Sequence, residues 1–240
     1  MSSPVLVITP TVVGDHFEDC RRSVREQSYG HVHHLMVVDG QEHVARYNKR
    51  ALAQGFTNMD HLLMLPWNVG KDDGNWYGHR VYAAVPKLIP TSRFKYVFFL
   101  DEDNEYAPDH VEECVKALEA EPDAWMSHSK RQIIDEDGDE VILDLCESIY
   151  PEPIYGDKKN GYLIDTSSYC FRVDYIRRFS YLWDAEWGGD REFLRNTLDH
   201  KRVATNLHTL RYRLAGNQNS VTKKFFEVGN RIMNLGENLT

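Results

Sequence analysis

Short apolar runs alternate with amphipathic stretches along the first half of the chain. Val5 to Thr9 (VLVIT) is a β-branched run of strand length, and Asp15 caps a helix reaching about Gln27, with Phe17, Cys20 and Val24 on its buried side. Leu35 to Val38 is the next strand, closed by Asp39 and Gly40. A second helix runs from about Glu42 to Ala53, where Val44, Tyr47 and Ala51 share a face and Gly55 supplies a stop. His61 to Leu65 gives a third strand. A polar, glycine-punctuated loop from Pro66 to Gly74 follows, and Tyr77, Val81, Val85 and Leu88 then recur at helical intervals. Tyr96 to Leu100 is apolar at every position, as expected of a strand covered on both faces in a parallel sheet. This alternation predicts an α/β fold.

The pattern changes in the second half. Pro108 opens a helix with Val111, Cys114, Val115 and Leu118 inward, ending near Pro122, and Ala124 to His128 reads as a strand. Ile133 to Leu143 reads as a hairpin closed by an Asp-Gly turn, followed by a long aromatic loop from Leu145 to Gly161 of the kind used for binding. Tyr169 to Val173 is a further strand, Asp190 opens a helix with Phe193, Leu194 and Leu198 inward, and Val203 to Tyr212 is the last strand. With neither repeats nor a linker, one domain spans residues 1–240. Within it, about 1–128 forms one half, about 129–215 the other, and 216–240 a helical tail.

Composition narrows the function. The 240 residues, 42% hydrophobic and 27% charged, suffice for one well-covered core. A net charge of -9, from 37 acids and 28 bases, argues against a nucleic-acid partner. Cys20, Cys114, Cys146 and Cys170 include no CxxC pair, which points to buried thiols in a cytoplasmic protein. No apolar stretch reaches membrane-spanning length. In the tail, Lys223, Lys224, Phe225, Phe226, Ile232 and Leu235 form an amphipathic stretch, for which docking onto the domain is favoured over contact with the cytoplasmic membrane face.

The candidate chemistry starts where the Tyr96–Leu100 run stops at Asp101, Glu102 and Asp103. Ligands in open α/β sheets collect at the carboxyl ends of strands. If the extended backbone continues, Asp101 and Asp103 share a side and Glu102 faces away; two aligned carboxylates repel unless a divalent cation joins them. Manganese or magnesium fits such oxygen ligands and keeps positions free for a diphosphate. A calcium loop of the EF-hand kind does not fit, because Tyr106 stands where that loop requires glycine. The other Asp-x-Asp, Asp135/Asp137, sits beside Gly138, where turn geometry accounts for it.

Six segments in order, VLVITPT, SVREQSY, LMVVDG, Asn68-Val69-Gly70, FFLDEDN and GGDREFL, resemble the family 2 glycosyltransferases, which have the GT-A fold. The resemblance covers Val5 to about His208. It implies that Thr9, Pro10, Thr11, Asp39 and Gly70 bind the nucleotide, usually uridine, and that Arg80 lies near the diphosphate. Asp101, Glu102 and Asp103 then serve nucleotide sugar and metal, and His208 is a further metal ligand. Asp190 becomes the base that deprotonates a hydroxyl acceptor, with inversion at the sugar, although the family's Glu-Asp pair here reads Gly189-Asp190. Expected partners are a UDP-linked donor and a glycan or other hydroxyl acceptor, with Tyr155 and Trp187 near the acceptor.

Other residues carry blander readings. His31, His33 and His34 lie at a strand entrance and read as surface histidines, while Trp183 could stack on a sugar ring but reads more readily as core cover. A sugar-phosphate nucleotidyltransferase needs a glycine-rich phosphate loop, but Thr9 to Gly14 has one glycine. A catalytically silent nucleotide- or glycan-binding module is the remaining alternative, separable by donor hydrolysis.

Overall fold

In the computed structural model, which describes residues 2–55, 57–72, 78–145, 163–185, 188–214 and 221–235, the early apolar runs become parallel strands. These are β1 (Val5–Thr11), β2 (Val32–Val38), β3 (Asp60–Met64) and β4 (Tyr96–Phe99). They lie in the order β3-β2-β1-β4, every pair parallel. The connections contain α1 (Phe17–Arg25), α2 (Val44–Gln54), the single turn α3 (Val69–Asp72) and α4 (His79–Ala84). The expected Tyr77–Leu88 helix is thus shorter: α4 tightens at Val85 into a 3₁₀ turn containing Pro86, which has no N–H to continue an α-helix.

All four β4 residues and Leu100 are fully buried, because the strand has a layer on each face. Val97 and Phe99 join Leu6, Ile8, Phe171, Trp183 and Phe193 on one side. On the other, Tyr96 and Phe98 join Val5, Val7, Cys20 and Val24 of α1, and Val111, Cys114, Val115 and Leu118 of α5 (His110–Ala120). Two-sided burial is the reason the run has no polar alternation. Trp183 is a core residue, stacked on Phe193 at 3.7 Å between ring centroids. His34 is also buried, bonded through Nε2 to Thr9 Oγ1 at 2.9 Å, and is not a surface histidine.

The same sheet continues through the second half. β4 pairs antiparallel with β8 (Tyr169–Arg172), which pairs antiparallel with β6 (Met126–Ile134). β6 pairs antiparallel with β7 (Glu140–Leu143) and parallel with β9 (Arg202–Arg213), and β9 pairs antiparallel with the short β5 (Glu105–Tyr106). The expected strand at Ala124–His128 and the first arm of the hairpin are one continuous strand. The polar stretch between them is no break, since Ser129 is buried and buried Arg131 pairs with Asp144 at 2.7 Å. Asp135 closes the β6–β7 turn, accepting from the amides of Asp137 and Asp139, so this second Asp-x-Asp is structural.

α6 (Val173–Phe179) and α7 (Gly189–Asn196) cover the Trp183 side. α8 (Lys223–Leu235) docks back onto the domain: Phe226 is buried against Ile133, and Asn230 bonds the Leu143 carbonyl and the Leu145 amide at 2.6 and 2.8 Å. Among the described residues no helix is long and apolar enough to cross a membrane. Cys20, Cys114 and Cys170 are buried free thiols. Cys146, the 145–161 loop beyond Leu145, Tyr155 and Trp187 lie outside the described residues.

Candidate active site

The chain does not stay extended through the acids. After Leu100 it turns, with the Asn104 amide bonded to the Asp101 carbonyl at 3.1 Å, so side chains no longer alternate about a strand axis. Asp101, Glu102 and Asp103 therefore all border one cavity of about 740 Å³ at the carboxyl ends of β1 and β4. Glu102, expected to face away, folds over the end of β1. It accepts from Thr11 Oγ1 at 2.5 Å, the Gly14 amide at 2.9 Å and the Val12 amide at 3.2 Å. Asp101 is held by the Tyr82 hydroxyl at 2.8 Å and by Ser167 Oγ at 3.3 Å.

Neither Asp101 nor Asp103 has an ion-pair partner among the described residues, and the electrostatics register it. Burial, then the Asp103 and Asp165 charges, raise Asp101 well above the carboxylate range. Burial and the Glu102 charge lift Asp103 to about 6. Arg213, whose Nε donates to the Asp103 carbonyl at 3.2 Å, offsets this rise only in part, and two desolvated carboxylates with so little countercharge fit a hard divalent cation. A closed cage is absent, since among the described residues no three His, Cys, Asp or Glu side chains converge on one point.

The facing wall comes from β1, β2 and the loop after β3. Pro10, Thr11 and Val12 line the cavity; Thr9 does not, because its hydroxyl is turned inward to His34. Asp39 lines it and grips α3, accepting from the amides of Val69 and Gly70 at 2.8 and 3.1 Å, while burial raises its pKa. Asn68, Gly70 and Lys71 of that segment also face the cavity. Gly78 packs on Pro10 with a φ of +85°, and a Cβ there would stand 2.9 Å from the proline ring, so only glycine fits.

Two expected residues are elsewhere. Arg80 is not on the cavity wall; its Nε lies 3.8 Å from Asp184, because His79 takes the inward direction on α4 and the next residue of a helix points about 100° away. His208 is not on the wall either. Its Nε2 meets the Asp144 carbonyl oxygen at 3.1 Å, and the β9 residue that reaches the cavity is Tyr212. Among the described residues the cations on the wall are Lys71 and Arg191.

α7 also contributes to the wall. Asp190 lies in its first turn and borders the cavity, with Oδ1 accepting from the Arg191 amide at 2.7 Å. The sequence reading missed Asp165, Thr166 and His79. Asp165 accepts from the Ser167 amide and pairs with Arg131, in a segment without apolar periodicity that could have placed it. The signal for His79 was Gly189: a side chain there would collide with the imidazole.

In fold, the chain is similar to the crystal structure of S. aureus TarS 1-349, with a TM-score of 0.61 and 12% identity over 88% of this chain and 60% of that one. The same fragment solved in complex with UDP gives a TM-score of 0.62 and 12% identity, over 88% and 60%. Its complex with UDP-GlcNAc gives 0.61 and 13%, over 97% and 66%. The chain thus spans about 60% of the length of the fragment it matches. No curated protein matches it in sequence. The model of glycosyl transferase family 2 matches residues 7–184, and with its mixed α/β sheet and strand-end carboxylates the chain belongs to that family.

Proposed function

We propose that this enzyme transfers a sugar from a UDP-linked donor to a hydroxyl acceptor, depends on manganese or magnesium, and inverts the anomeric configuration. The observation that carries the reading is one cavity bordered by Asp39, by Asp101 to Asp103 and by Asp190. The half up to about residue 128 contributes the donor wall, the following half the base, and both UDP and UDP-GlcNAc have been seen on TarS, a chain of the same fold.

Asp101 and Asp103 would hold the cation, which when bound supplies positive charge to the departing diphosphate. Lys71 and Arg191 add charge from the wall. His208 takes no part in that site. Asp190 accepts the proton of the acceptor hydroxyl while its oxygen bonds to the anomeric carbon and the bond to the diphosphate oxygen breaks on the opposite face. The nucleotidyltransferase reading needs free amides after β1 to cradle phosphates, yet those of Val12 and Gly14 are already bonded to Glu102. The buried free thiols support a cytoplasmic setting.

Asp190→Asn should keep UDP binding by calorimetry while losing transfer by about 10²-fold or more. Retained turnover would remove Asp190 as the base, and UDP binding unaffected by chelation would remove the metal. Anomeric proton spectra of the product report the stereochemistry, and a retained configuration contradicts inversion.

A further inference from the structure

His79 is a cavity-wall side chain to which the reaction just described gives no task. It opens α4 between Gly78, which packs on Pro10, and Gly189, the residue before Asp190. A Cβ at Gly189 would stand 2.9 Å from His79 Nδ1, 3.1 Å from its Cγ and 3.1 Å from the Trp183 carbonyl oxygen. The imidazole thus occupies the space that any side chain at position 189 would need. Its Nδ1 is sealed in that corner, buried and without a hydrogen-bond partner among the described residues. Burial also pushes its pKa down to about 4, which keeps the ring neutral at neutral pH.

A neutral imidazole has one N–H and one lone pair. Either tautomer leaves Nδ1 unsatisfied, but only the one protonated on Nε2 offers the cavity a donor. The carbon under attack must lie within bonding distance of the oxygen that Asp190 deprotonates. The part of the substrate that passes a ring wedged against Gly189 is therefore the sugar, not the base. We propose that His79 is a specificity-determining residue for the donor, its Nε2–H donating to an oxygen of the transferred sugar. The inference rests on the proposed function and deepens it.

The test compares UDP with whichever of UDP-glucose, UDP-galactose and UDP-GlcNAc the wild-type chain hydrolyses in manganese. By calorimetry, His79→Leu should weaken the sugar nucleotide tenfold or more and UDP less than twofold, at an unchanged melting temperature. His79→Gln, whose Nε2 can donate from a similar place, should recover most of the loss. In wild-type protein carrying ¹⁵N-histidine, the His79 Nε2–H signal should move with the sugar nucleotide and stay put with UDP. That readout does not depend on any variant folding. Equal weakening of both ligands, no weakening, or a signal indifferent to the sugar would overturn the role of His79 alone. Hydrolysis of none of the three donors would overturn this inference even where UDP binds, and with no UDP binding it would overturn the proposed function as well.

Discussion

Burial and the neighbouring Glu102 carboxylate hold the Asp103 pKa at about 6, above the unfolded-state value, so the folded protein binds this proton more tightly than the unfolded chain does. The stabilisation is complete below the unfolded value near pH 4 and is lost as pH rises through about 6. At pH 7.5 the metal-free protein carries the charge at a cost. Asp103→Asn should therefore stabilise it, by about 1 kcal/mol after discounting for screening at the cavity mouth, or roughly 2–4 °C in Tm. Melting in chelator measures this, and a lower Tm would contradict the assignment. With the cation site proposed above, manganese should stabilise the wild type and not this variant.

Asp103 was legible because a buried strand announces where its carboxylates emerge. Arg80 and His208 were placed by order along the chain, which says nothing of side-chain direction. Helix phase turned Arg80 to Asp184, and the Asp144 carbonyl holds His208. Nor did the strand period carry through the acids: it ends at the Leu100 turn, where the Asn104 amide bond to the Asp101 carbonyl brings Glu102 to the cavity as well.

Among the elements, the loop between β1 and α1 is fastened by distant side chains, its carbonyls at Val13 and Gly14 by Arg46 and Arg50 of α2 and its amides by Glu102. The Glu102 carboxylate satisfies two amides and a hydroxyl there, and hydrogen bonds to a charged group contribute about 1.5–3 kcal/mol. Glu102→Ala should cost about 2–3 kcal/mol and weaken UDP binding, because Thr11 and Val12 on the wall lose their anchor. Urea titration and calorimetry report the two effects, and undisturbed UDP affinity would show that the loop holds its shape without Glu102.

α8 acts on the opposite flank. Phe226 covers the Arg131 guanidinium at 5.2 Å, Tyr212 covers it at 4.9 Å, and the guanidinium joins Asp144 to Asp165 of the cavity. Phe226→Ala should cost about 3–5 kcal/mol, leaving a void beside a buried charge. A loss under 1 kcal/mol in urea would mean that α8 is not part of the core. The alternation of strands and helices was readable because each element buries a regular face. The fusion that forms β6 was not, because Arg131 in the polar stretch is buried by pairing with Asp144 and Asp165, which lie outside that stretch.

For the whole molecule, buried histidines and buried carboxylates oppose one another as pH falls. His34 and His110 are pushed down to about 3, and His79 and His128 to about 4, all chiefly by burial. The folded chain keeps them neutral while the unfolded chain protonates them below about pH 6.5. Their contribution is therefore present above that pH and lost as pH falls toward 4. Asp101 and Asp103 work the other way, holding protons in the folded state that the unfolded chain releases. Between about pH 4 and 6, protons taken up on unfolding by these four histidines, joined by His33 and His61, are offset in part by those released from Asp101, Asp103 and Asp39. Stability should then rise with pH in that window, with a flatter profile above it. Manganese in the proposed site would change the balance, since it needs the two carboxylates ionised and would displace their protons. Its stabilising effect should therefore grow as pH rises through 6. Urea midpoints from pH 4.5 to 8, with chelator and with manganese, give both curves. A chelated protein that is most stable near pH 4.5 would show that the carboxylates outweigh the histidines, and a manganese effect independent of pH would place the cation away from Asp101 and Asp103.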